Sequence, residues 1–180
     1  MTDPWNGAVI ETYTGERFTP FDPDPERVHL ADIAAGLAHT CRFGGHCSRF
    51  YSVAQHSLHV SREVSGTRLQ LIGLFHDAAE AYLGDVPRPI KAQLEGFAEA
   101  ERSILSAVWE AFELSAPTPE EWETVMQADD RLLAYEATRL LSDGSWAGSS
   151  PELPYRLGSD DIESVRKQFE RRGQELLTQA

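Results

Sequence analysis

The sequence is poor in the features that mark secreted, membrane-spanning or nucleic-acid-binding chains. It has two cysteines, Cys41 and Cys47, too few for a disulfide framework. It has no run of 18 apolar residues, so no segment is a candidate for crossing a bilayer as a helix. No apolar h-region stands at its start, and the expectation is a cytoplasmic setting with free thiols. Positive charge is scarce, with 16 Lys and Arg against 29 Asp and Glu and a formal net charge of −13. Polymeric nucleic acid and anionic membranes are bound by Lys and Arg that displace counterions, so both partners are disfavoured. A small anionic ligand is still admitted, because a few local cations or a metal ion offset the global repulsion.

What is present points to an all-α, single-domain bundle with an extended N-terminal arm. A chain of 180 residues buries about two thirds of its unfolded surface in one core. Residues 1–27 are rich in proline and end in "TPFDPDPER". Proline fixes φ and disfavours helix in the residue before it, which predicts an arm that is loop or a short strand around "AVIETYTGERF". From residue 28 onward the apolar period becomes helical: Val28, Leu30, Ile33, Leu37 and Cys41 predict a first helix over about 30–41.

The following helices are announced by their ends. Ser52 is a suitable cap for "VAQHSLHVSREV", which Gly66 closes, and Thr67 a suitable cap for "RLQLIGLFHDAAEAYL", ended by Gly84. "GDVPRPIK" reads as a rigid turn, and "FAEAERSILSAVWEAFEL" as a long amphipathic helix. Thr118, Pro119 and Glu121 form a capping signature for a helix reaching Leu141. Residues 142–159 are rich in Gly, Ser and Pro and read as a flexible loop or flap. Asp160 with Glu163 is expected to cap the last helix.

Two places carry unusual chemistry. "HTCRFGGHC", residues 39–47, interleaves His39 and His46 with the cysteines, but the spacing fits no common zinc pattern, so buried or half-buried thiols are expected. In "LFHDAAEAYLGD", residues 74–85, His76, Asp77, Glu80 and Asp85 interrupt an apolar run. On a helix His76 and Glu80 share a face, with Asp77 three residues from Glu80. Carboxylates are costly to bury unless paired or bound to metal, and a divalent cation resolves the conflict. A mixed nitrogen and oxygen donor set suits Zn, Mn, Fe, Co or Ni, with Mg also admitted. Two ligands are too few. The candidates for the rest are His56, and either Asp129 or Asp130 in "QADDRLLAYEA". His59, three residues after His56, is expected to be a surface or packing residue.

The ordered "HS" at 56–57, "HD" at 76–77 and "AD" at 128–129 resemble the H…HD…D signature of the HD-domain metal-dependent phosphohydrolases. "HDAAEAYLGDVPRPIK" is similar to the H-D-x-x-E-x-x-x-G-D-x-P-x-P-x-K stretch of their bacterial 5′-deoxynucleotidase branch. "DIAAGLAHTCRFGGHCSRFYSVAQHSLHV" resembles the N-terminal half of phage and prophage HD-family hydrolases. The resemblance covers about residues 28–141. It implies an HD-type helical bundle over 28–180 with His56, His76, Asp77 and Asp129 as metal ligands, Asp129 being favoured by the A-D-x-x-L-L-A-x-E run. It implies Glu80 as the acid that handles the attacking water and Asp85 as a second acid near the leaving oxygen or the sugar. Arg42 matches a phosphate-contacting arginine and Lys91 the motif lysine, while Phe43 stands where those deoxynucleotidases tend to have tryptophan.

The function so implied is removal of phosphate from a small nucleotide, foremost a deoxynucleoside 5′-monophosphate. The alternatives are a deoxynucleoside triphosphate triphosphohydrolase of phage type and, in a different class, a non-catalytic nucleotide sensor. Relatives of this kind are usually homo-oligomers, and "SILSAVWEAF" carries apolar surface enough for a core or an interface.

Overall fold

The computed structural model describes residues 9–158 and 160–180. The first eight residues of the expected arm, and Ser159 of the 142–159 loop, lie outside the described residues. The arm begins with a small antiparallel hairpin, β1 (Ile10–Glu11) and β2 (Arg17–Phe18), with Ile10 opposite Phe18. The hairpin is held by one side chain of the next element: Asp32 accepts from the Thr14 N–H (2.7 Å) and hydroxyl (2.9 Å).

The remaining elements are helical: α1 (Leu30–His39), α2 (Val53–Glu63), α3 (Thr67–Phe75), α4 (Glu80–Leu83), α5 (Arg88–Lys91), α6 (Phe97–Ala111), α7 (Pro119–Leu140) and α8 (Ile162–Gln179). They form one all-α bundle in which α1, α2, α3 and α8 pack against one another and α7 lies across α2 and α3. The core is built from Ile33, Leu37, Leu58, Leu71, Leu74, Phe75, Ile104, Leu132 and Phe169. Phe75 stacks on Phe112 at 5.1 Å, with Trp109 edge-on. Phe18 stacks on Tyr82 at 4.0 Å and seats the arm on α4.

Most helix starts follow the sequence signals. Ser52 accepts from the Gln55 N–H and opens α2, and Thr118 with Glu121 completes a reciprocal capping box under Pro119. Four local expectations are corrected. The cap of α3 is Gly66, at φ 91°, and Thr67 is the first helical residue. The cap of α8 is Asp161, which accepts from Ser164 N–H, whereas Asp160 accepts from Gln55. "PRPIK" is not a bare turn, since Arg88–Lys91 is one turn of helix with proline in its first positions, where no N–H is missed.

The fourth correction shapes the site. The helix expected through residues 68–83 breaks after Phe75. The ring of His76 bonds back to the Gly73 carbonyl at 2.9 Å. A side chain that takes a helix carbonyl disturbs the i→i+4 ladder, and from Phe75 the backbone continues with i→i+3 bonds, Ala78 to Phe75 and Glu80 to Asp77. The tighter turn brings i and i+3 onto one line, so Asp77 and Glu80, rather than His76 and Glu80, point the same way.

Close helix approach fixes the frame. A Cβ on Gly73 would stand 3.1 Å from the Ser61 backbone, so α2 and α3 meet nearly backbone to backbone. The segment after α7 is packed on the bundle: Leu157 is buried, the Tyr135 hydroxyl donates to the Tyr155 carbonyl, and the Tyr155 hydroxyl donates to Glu63.

Candidate metal centre

Helix α2 presents His56 to the bundle interior, the 76–79 turn presents His76 and Asp77, and α7 presents Asp129 and Glu136. His56 and Glu136 have no exposed surface, and His76, Glu80 and Asp129 are buried. The ligand atoms of His56, His76 and Asp77 all lie within 4.8 Å of one another. Asp77 Oδ2 is 3.1 Å from His76 Nε2 and 3.8 Å from His56 Nε2. Asp129 stands beside this set, with Oδ1 3.1 Å from His56 Nε2. Its neighbour Asp130 is exposed and turned to Arg88.

Hydrogen bonding decides which ring nitrogens face the cluster. His76 Nδ1 meets a carbonyl, which only accepts, so Nδ1 carries a proton. His56 Nδ1 meets the Glu136 carboxylate at 2.8 Å and donates to it. Both Nε2 atoms thereby face the carboxylates, that of His76 nearest Asp77 and that of His56 nearest Asp129, and both are buried without an aligned hydrogen-bond partner. Orphaned polar atoms inside a core cost free energy unless something else binds them. Two imidazole nitrogens and a carboxylate facing one point form a donor set that fits a divalent transition metal, and an acceptor holding each Nδ1–H orients the ring for that duty.

Glu136 organises the cluster from behind, and the sequence reading gave it no role. Its Oε1 accepts from His56 and from the Tyr51 hydroxyl (2.7 Å), and its Oε2 accepts from Arg42 Nε (3.0 Å). Arg42 Nη2 is also 3.0 Å from Oε2, so the guanidinium grips the carboxylate with two nitrogens and keeps Nη1, 3.7 Å from Asp77, on the cavity side. The signal was legible only as a helical repeat: seven residues after Asp129, Glu136 falls on the same inward face of α7.

Electrostatics follow the geometry. Burial would raise the Asp77 carboxyl, but His76 foremost, with His56 and Arg42, holds it well below the usual carboxylate range. Burial and Arg42 pull His56 down, yet Glu136 and Asp129 outweigh them and hold it at about 9. Glu80 moves the other way: burial, then the Asp77 and Asp85 charges, push its carboxyl well up despite Lys91. Its Oε2 is buried without a partner, while Oε1 accepts from Lys91 at 3.0 Å. Lys91 is therefore held between Glu80 and Glu101 (2.6 Å), not free in solvent.

Asp77 and Asp129 face a cavity of about 530 Å3, which Arg42, Phe43, Glu80, Asp85, Lys91 and Trp146 also line. Phe43 sits at φ 58°, an uncommon conformation for an aromatic residue, and its ring lies 5.4 Å from the Arg42 guanidinium. Every residue expected at the site thus reaches either the cluster or this cavity. His59 does neither; it is buried three residues further along α2, bonded to Tyr51. Cys41 and Cys47 are free, half-buried thiols with sulfurs 3.5 Å apart, and the metal-holding group found among the described residues is His56, His76 and Asp77.

Fold and site together define an all-α protein with a largely buried His-His-Asp cluster able to hold a metal ion, beside a cavity of about 530 Å3. No protein-family model matches the chain. It is 37% identical over 140 residues, 77% of this chain and 76% of the relative, to the uncharacterized protein YfdR of Escherichia coli. It is 35% identical over 130 residues, 67% of this chain and 66% of the relative, to the uncharacterized protein RCAP_rcc00048 of Rhodobacter capsulatus. The chain belongs to the family of YfdR. No described helix is long and apolar enough to cross a membrane.

Proposed function

We propose that this protein is an HD-type, metal-dependent phosphohydrolase that acts on a small nucleotide, foremost a deoxynucleoside 5′-monophosphate. The observation that carries the reading is the pair of buried, unpartnered Nε2 atoms of His56 and His76 converging on Asp77 beside a cavity that also contains Glu80 and Arg42. His56, His76, Asp77 and Asp129 would hold the metal. When bound, a divalent cation of this kind lowers the pKa of a coordinated water toward ~7 and polarises a phosphoryl oxygen.

The chain's own residues supply the rest. Glu80 lies one tight turn from Asp77 with a free carboxylate oxygen, near enough to orient a water and take its proton without occupying a ligand position. Arg42, pre-oriented by Glu136, offers Nη1 to a phosphate oxygen and offsets charge that builds up on the phosphoryl group. Asp85, on the same cavity wall, stands ready to meet the leaving oxygen or a sugar hydroxyl. Phe43 and Trp146 supply apolar walls on which a base can rest.

The test is to incubate the purified protein, loaded with Mn, Co or Zn, with mono- and triphosphates of all deoxy- and ribonucleosides and to identify the product. Orthophosphate released from monophosphates is expected. Released triphosphate moves the assignment to triphosphohydrolase chemistry. A panel left intact with every metal overturns the enzymatic reading and leaves the nucleotide sensor.

A further inference from the structure

The cavity is lined by three cationic side chains that differ in what holds them. Arg42 is buried and gripped by Glu136. Lys91 is clasped by Glu80 and Glu101. Arg88, on the short helix α5, is the exposed one, with 68% of its side-chain surface open. Its Nη2 lies 2.9 Å from Asp129 Oδ2, and its Nη1 lies 3.4 Å from the exposed Asp130.

The partner of Arg88 is the unusual feature. The other oxygen of the Asp129 carboxylate stands 3.1 Å from His56 Nε2, at the edge of the cluster. One carboxylate therefore serves two claimants, the guanidinium on one side and the cation site on the other. A divalent ion at the cluster would draw on the same negative charge and would repel the guanidinium a few ångströms away. Nothing buries Arg88 in place, and its long stem can turn without opening the core. The anion best placed to receive it is a phosphate lying over the metal, within the cavity that Arg88 already lines, because a guanidinium offers phosphate a two-pronged grip.

We propose that Arg88 is a phosphate-binding residue whose charge is parked on Asp129 until a metal ion takes that carboxylate over. Arg88 thus competes with the metal in the empty protein and cooperates with it once phosphate arrives. The inference rests on the metal-site reading of the proposed function. It has a signature of its own: loss of Arg88 moves two affinities in opposite directions.

The experiment is calorimetric titration of wild type, Arg88→Ala and Arg131→Ala, first with Mn2+ and then, at saturating Mn2+, with inorganic phosphate. Arg131 is the control for lost positive charge, since it is an exposed arginine on the same helix α7 as Asp129 and faces Glu63 at 3.7 Å. The expected result for Arg88→Ala is Mn2+ binding tighter by about three- to fivefold, the scale of an exposed ion pair. Phosphate binding should weaken about tenfold, the scale of a charged hydrogen bond. Arg131→Ala should move neither by as much as twofold. If Arg88→Ala weakens both ligands, Arg88 is a structural clip on Asp129; if it leaves both unchanged, or if Arg131→Ala matches it, Arg88 has no special role. Each of these overturns the proposal while the metal site stands. A wild type that binds no Mn2+ overturns the metal reading and this inference with it.

Discussion

His56 and His59 sit three residues apart on α2, both are buried, and they end in opposite states. On the cavity side, His56 donates through Nδ1 to Glu136 and leaves Nε2 buried and unpartnered. Around His59, the Tyr51 hydroxyl spends its proton on Glu136 and so accepts from His59 Nδ1 at 3.0 Å. The His59 ring is then covered by Tyr155, stacked at 4.1 Å. Carboxylates hold the His56 pKa at about 9, whereas burial, outweighing Glu136, pushes His59 down to about 3. Burial of a histidine therefore does not by itself mark a site. What distinguishes His56 is a ring nitrogen left without an aligned partner, while His59 bonds Tyr51 and lies under the Tyr155 ring. Glu136 joins the two, anchoring His56 and Arg42 toward the cavity and Tyr51 away from it.

Four substitutions test that contrast. The largest effect is expected from Glu80→Gln, which keeps the shape of the cavity but removes the acceptor for the water's proton. Turnover of the preferred nucleotide should fall about 10^3-fold while Mn2+ binding stays within about twofold, as read by single-turnover kinetics and calorimetry. Undiminished turnover would remove Glu80 from the mechanism.

Glu136→Gln comes next, since it strands the buried Arg42 cation and loosens His56. It should cost about 3 kcal/mol in urea unfolding and weaken metal binding about 10- to 100-fold. If only stability changes, the two sides are not coupled through Glu136.

His59→Asn probes the closed side through pH. The unfolded histidine titrates near 6.5 and the folded one near 3, so between these values the unfolded state binds more protons and stability rises with pH. The stability from neutral His59 is complete above about pH 6.5 and is lost progressively as pH falls toward 3. Wild type should therefore lose about 2 kcal/mol more than His59→Asn between pH 6.5 and 5, measured by urea unfolding at several pH values. Parallel curves would mean that His59 is protonated in the folded protein.

Tyr155→Phe should have the smallest effect. It removes the 2.7 Å bond to Glu63 and keeps the stacked ring, which predicts a loss of about 1 kcal/mol with unchanged Mn2+ affinity. A change in metal binding would show that the surroundings of His59 also serve the site.

The starts of α2 and α7 were readable from sequence because Ser52 and Thr118 each cap their own helix through bonds that span three residues and need no tertiary partner. The caps Gly66 and Asp161 were each misplaced by one residue: Asp160 offers the same carboxylate as Asp161, and Gly66 caps α3 through its backbone at φ 91° with no side-chain bond to announce it. The 76–79 break was not readable, because a histidine bonding back to Gly73 looks like any helical histidine until the ring is placed.

By itself the sequence determined the bundle, through helical apolar spacing, and the types of group that meet at the site, since His76, Asp77 and Glu80 in an apolar run demand an explanation that burial does not offer. Only the tertiary structure decided their division of labour. It set Glu136 behind His56, turned both Nε2 atoms inward, paired Arg88 with Asp129 and sealed His59 under Tyr155. Most of these outcomes depend on partners distant in the sequence, His56 and Glu136 being 80 positions apart and Arg88 and Asp129 41, and no local pattern encodes which nitrogen of a ring faces which carboxylate.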